Sequence, residues 1–183
     1  YFINPNFLIF DVNGLYNPES NKVNHIVIPD RSEINSLKKL GLNANFFRNK
    51  KVNLIAFANF DESYQNRENL TNILSKSKQF GGILNFSNKV LPLRVNFSKR
   101  KWDQRETETD RVYKLDEMLF SLNIDKSFSS RDKNSFEYAH HEYKYINEND
   151  FQTYNLINKL SLNNKIYLDA GKKHYFNSIM SNY

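Results

Sequence analysis

The chain contains no cysteine among its 183 residues. That excludes disulfides, thiolate metal centres and cysteine nucleophiles together, and it is consistent with a reducing compartment. Glycine and proline are scarce, five and four residues, so few positions announce tight turns. There is no run of about 18 apolar residues, and no charged leader followed by an apolar stretch and small residues. Neither a membrane-spanning helix nor a secretory signal is therefore expected, and the expected partners do not include a membrane. Acidic residues are outnumbered, 20 against 26 Lys and Arg, which gives a net charge of +6 and a pI near 9.3.

What is present in quantity is Asn, Lys, Ile and aromatic residues, with 39% apolar and 15% aromatic content. Such usage follows from A/T-rich codons, so part of the Asn and Lys content is background. The positive charge favours a polyanionic partner, nucleic acid first, because each cation set on a phosphate releases condensed counterions. A merely solubilising surface is the alternative. The length suits one main domain with an extension.

Along the chain, Phe7–Asp11 and Val23–Ile28 read as short buried strands. Ser32 and Glu33 can cap a helix whose Ile34, Leu37 and Leu40 recur every three residues, with Gly41 as its stop. "VNLIAFANFD" (52–61) reads as a strand covered on both faces, and Glu68–Phe80 as a second helix ended by Gly81 and Gly82. "ILNFSNKVLPLRVNF" follows as one or two strands. The expected fold is α/β, a small layered, flavodoxin-like sheet over residues 1–97. Residues 98–183 are expected to form a basic and aromatic, partly extended region that packs on RNA or partner proteins. It opens on a stretch, Lys89–Arg105, with six Lys or Arg against one Asp. It continues as a charged helix carrying Val112, Leu115, Met118 and Leu119, an irregular segment from Asp125 to Asp150, and a helical "FQTYNLINKL".

Four stretches invite a chemical reading. Asp11, followed by Asn13 and Gly14, resembles the opening motif of haloacid-dehalogenase phosphatases, but Asn13 stands where the proton-donating acid is needed. The same stretch is similar to the first strand of magnesium-dependent PIN and NYN nucleases, for which Asp61, Glu62 and Asp30 are the candidate further ligands. His140, His141 and Glu142 lack metal-ligand spacing, since adjacent histidines point apart on a strand or a helix. "LDAGKK" (168–173) resembles a nuclease strand end or a phosphate loop but lacks the rest of either pattern, and it reads as a turn.

A longer stretch, "NPNFLIFDVN" followed by "SEINSLKKLGLN" and "VNLIAFANFDES", resembles small-subunit ribosomal protein two of bacterial and organellar ribosomes over about residues 4–63, with Tyr16–Ile28 as an insertion. The resemblance implies a flavodoxin-like sheet and a structural, non-catalytic part in a small ribosomal subunit, mitochondrial with the cytoplasm as alternative, bound to ribosomal RNA and other ribosomal proteins. No cofactor, metal or small-molecule substrate is expected. The expected RNA contacts are Arg48, Lys50, Lys51, Lys99, Arg100, Lys101, Trp102, Arg105, Lys172 and Lys173, since cations bracketing an indole can neutralise phosphates while the ring stacks on a base. The alternative is a magnesium-dependent nuclease using Asp11 and Asp61.

Overall fold

The computed structural model describes residues 7–23, 31–67, 71–88, 90–147, 151–169, 171 and 173–182. These residues form nine strands. They are β1 (Leu8–Val23), β2 (Arg31–Phe46), β3 (Val52–Arg67), β4 (Thr71–Phe86), β5 (Leu93–Glu106), β6 (Val112–Lys126), β7 (Asp132–Ile146), β8 (Gln152–Tyr167) and β9 (Tyr175–Asn182). Every strand pairs antiparallel with its sequence neighbour, so the sheet order is the chain order, an up-and-down meander with β1 and β9 at its edges. Eight strands are 14–16 residues long, about three times the usual strand length.

The α/β, flavodoxin-like expectation is thereby corrected: the described residues contain no helix. The helix expected from Ile34, Leu37 and Leu40 is β2, in which Ile34 and Leu40 share one face while Leu37 lies on the other. Spacing three is a local coincidence, and pairing with strands on both sides overrides it. The second expected helix falls on β4 from Thr71 onward, residues 68–70 lying outside the described residues, and Gly81–Gly82, read as its stop, sit inside that strand. The charged helix is β6, entered through a turn at 107–111, and "FQTYNLINKL", Phe151 aside, lies on β8. The irregular segment contains β7. Pro29, Asp30 and the stretch 24–28 lie outside the described residues. The sheet continues through residue 97, which falls within β5.

Strand continuity has local causes. At Gly81 a Cβ would overlap the Phe97 carbonyl oxygen and come within 2.7 Å of the Phe57 ring, so glycine lets the aromatic lie across the strand. At the β6–β7 turn, Asp132 accepts hydrogen bonds from the Phe128 and Ser129 backbone N–H groups. Those bonds, that from the Ser129 hydroxyl foremost, hold the Asp132 carboxyl below its ordinary pKa.

The sheet has no second layer and no buried hydrophobic side chain; among the described residues only Gly41 is buried. The chain's accessible surface is 13260 Å². A compact 21.8 kDa protein exposes about 9,300 Å². The remaining surface, about 4,000 Å², has to be accounted for by what each face carries.

Candidate functional site

Because strand side chains alternate, the register sorts the sequence into two faces. On one face a single row crosses eight strands as Leu8, Phe46, Leu54, Leu84, Val95, Leu122, Tyr138 and Leu160. The neighbouring rows extend it into a band: Leu40–Phe46 on β2, Val52–Phe60 on β3, Phe80–Phe86 on β4, Leu93–Phe97 on β5, Met118–Ile124 on β6, Phe136–Tyr138 on β7 and Leu160–Leu162 on β8, counting alternate residues, with Asn158 and Asn164 flanking the β8 pair. Phe60, Phe80, Phe97 and Tyr138 stand towards one margin of the band, and Phe46, Phe86, Phe136 and Phe176 towards the other. Small and aliphatic residues (Leu42, Ala44, Leu54, Ala56, Ala58, Gly82, Val95) fill much of the middle. Several of these rings and chains are openly accessible, Phe80 at 49% and Leu162 at 45%.

The opposite face carries, through the equivalent row, Asn53, Asn85, Arg94, Asn123, Glu137, Ser161 and Ser181. These groups bond to one another across strands. The Asn53 amide donates to Asn45 at 2.6 Å and accepts from Asn85 at 3.3 Å, and Asn96 donates to Ser121 at 2.9 Å. Lys159 pairs with Glu137 at 3.7 Å, and His141 Nε2 lies 2.9 Å from Glu117. An apolar island of Ile55, Phe57, Ile83 and Leu119 interrupts this polar face.

The band is oblique to the rows. On β2 its centre is Asn43, whose row runs through Phe57, Gly81, Ser98, Leu119 and His141 to Ile157 on β8. The β8 run is centred at Ser161 instead, a displacement of about four residues over six strand steps, or roughly 25° from a 3.3 Å rise and a 4.8 Å strand spacing. Val52–Phe60 spans about 26 Å along the strand, hence roughly 24 Å measured across the band.

Just beyond Leu40, Phe60, Phe80 and Phe97 the same face turns charged. Lys38 donates to Glu62 at 2.9 Å, Lys76 lies 3.3 Å from Glu62, and Asp116 holds Lys101 at 3.3 Å and Lys99 at 3.6 Å. The hydrogen bond from Lys38, then that from Lys76, lowers the Glu62 pKa, and the same Glu62 contact raises that of Lys38.

The residues singled out from sequence do not converge. Lys99 and Lys101 lie on the apolar-band face, whereas Arg100 and Trp102 lie on the polar face, where the indole donates to Ser75 Oγ at 2.7 Å. Arg105 is 3.9 Å from Asp110. Arg48, Lys50 and Lys51 occupy the β2–β3 connection at the other end of the strands, Lys173 lies in the β8–β9 connection, and Lys172 is outside the described residues. Asp11 and Asp61 share the polar face but sit two strands and four residues apart by register, roughly 16 Å from the sheet spacings, too far to share one ion. Among the described residues no His, Asp and Glu grouping could hold a metal. His140 and His141 point to opposite faces, His140 towards Asn158 at 2.8 Å. What the sequence reading missed is the period-two pattern, visible in "MLFSLNI" once it is read as a strand. Neither a protein-family model, nor a curated protein, nor a solved structure matches the chain.

Proposed function

We propose that this sheet is part of the wall of a transmembrane β-barrel, its apolar band facing lipid and its Asn53 face lining the interior. One observation carries the reading: an aromatic-edged apolar band on one face, charged beyond its margin, backed by a polar opposite face over eight long strands. Membrane barrels need an apolar band about 25 Å tall between aromatic girdles, a polar interior and long tilted antiparallel strands. On β3 the band spans roughly 24 Å, close to that height, and its obliquity of roughly 25° is somewhat below the usual 35–45° strand tilt.

Lipid also explains a single layer with no buried core, because the bilayer replaces the second layer as the apolar phase. The sheet margins add a condition. An unpaired strand edge inside hydrocarbon costs several kcal/mol per orphaned group, so the edges at β1 and β9 are closed by further strands of the same or another chain. That no helix among the described residues is long and apolar enough to cross a membrane bears on helices alone. The ribosomal, mitochondrial and RNA-bound expectation retains the net charge of +6 as its support, since the strand–helix–strand order behind the resemblance is three strands here.

The full chain, produced in cells and tested by membrane fractionation, should stay with the membrane pellet after alkaline carbonate washing and leave it only in detergent. Recovery in the soluble fraction, with or without bound RNA, would overturn the reading.

A further inference from the structure

At the margin of the apolar band, Lys78 on β4 stands directly opposite Lys101 on β5, with Lys76 and Lys99 in the adjoining rows. Like charges directly opposed across a sheet are destabilising unless something lies between them. Glu62 and Asp116 satisfy Lys76, Lys99 and Lys101 from the two sides, but Lys78 has no ion partner among the described residues. Lys78 also borders a concavity of about 330 Å³ whose walls include Leu40 and Phe60 on the apolar side and Lys38, Glu62 and Lys76 on the charged side. An occupant of that space meets hydrocarbon below and ammonium groups above.

We propose that Lys76, Lys78 and Lys101 form a site for the phosphate of an anionic phospholipid, its acyl chains lying on the band. The proposal rests on the membrane reading, which sets Lys78 in the row of Phe60 and two residues beyond Phe80, and Lys76 and Lys101 four residues beyond Phe80 and Phe97, in the zone between the hydrocarbon edge and the lipid headgroups. A phosphate between Lys78 and Lys101 turns their repulsion into two charge-assisted hydrogen bonds. Such an anion is held at one oblique edge of the sheet, so anionic lipid accumulates on one leaflet beside β4 and β5.

The test uses the full chain in nanodiscs of mixed phosphatidylglycerol and phosphatidylcholine, with the composition of retained lipid read after mild delipidation. The wild-type protein should retain phosphatidylglycerol enriched about fivefold or more over the bulk mixture. The triple variant Lys76→Gln, Lys78→Gln, Lys101→Gln should lose that enrichment, and the matching Arg variant should keep it. A variant removing the same charge from the polar face, Lys133→Gln, Lys159→Gln, Lys165→Gln, should behave as wild type. Equal enrichment in the two Gln triple variants and wild type would overturn the proposal. So would retention abolished by millimolar inorganic phosphate, which would mark a free-anion site, or loss of an RNA oligomer rather than of lipid. Failure of the membrane reading itself would show separately, as absence of the chain from the nanodiscs.

Discussion

Replacing Leu122 by Arg places a guanidinium near the middle of the apolar band. Leu122 lies between Val95 and Tyr138 in its row and between Phe120 and Ile124 along β6. If those neighbours face hydrocarbon, the charge costs about 2–4 kcal/mol at that depth. If they face water, it costs within about 0.5 kcal/mol, the range of ordinary surface substitutions. The one-residue shift to Ser121→Arg is the internal control, because Ser121 is on the polar face, where its hydroxyl accepts a bond from Asn96. The assay is reversible urea unfolding of the full chain in lipid vesicles, followed by emission of the single tryptophan, Trp102. Leu122→Arg should lose the larger amount and Ser121→Arg less than about 1 kcal/mol, since interior substitutions in barrels are mild. Equal penalties at the two positions would refute the assignment of faces.

Gly81→Val should destabilise by about 1–3 kcal/mol, because the added methyl groups meet the Phe97 carbonyl and the Phe57 ring; unchanged urea midpoints would remove Gly81 from that role. The Lys38–Glu62–Lys76 contacts lower the Glu62 pKa, so their contribution is complete above the ordinary Glu value of about 4.3 and is lost as pH falls through the lower folded value. Stability of Glu62→Gln relative to wild type should therefore converge only in acid; an identical difference at neutral pH and well below pH 4 would contradict it. Asp132→Ala should speed hydrogen exchange at the Phe128 and Ser129 amides, which Asp132 holds, and exchange at wild-type rates would show that the turn does not depend on this carboxylate.

Some of this fold is legible in the sequence and some of the sequence misdirects. Phe7–Asp11 and Val52–Asp61 read as strands and fall, Phe7 aside, within β1 and β3. The turn-forming stretches at 87–88, 107–111 and 127–131 recur every 20 residues, which is the spacing of a meander with long strands. Turn residues alone carry that regularity. What hides it is β2, where Ile34, Leu37 and Leu40 imitate helical spacing, and β2 and β4 alike, where glycines mid-strand look like helix stops. The band is also short on each strand, and lysines beyond it break the alternation. A single-sequence window sees "VNFSKRKW" as a basic patch. Only the register shows that Lys99 and Lys101 edge an apolar surface while Arg100 and Trp102 turn the other way.

The measurement that bears most directly on the membrane-wall account is a single-cysteine scan of β6 in native membranes, for which the cysteine-free chain needs no background substitutions. Cysteines at 119, 121 and 123 should react with a membrane-impermeant maleimide after the barrel interior is opened to reagent, and those at 118, 120 and 122 should be shielded yet reached by a lipid-soluble quencher. A period of two with that phase is the predicted result. Uniform reactivity along 118–123, or the opposite phase, would contradict it.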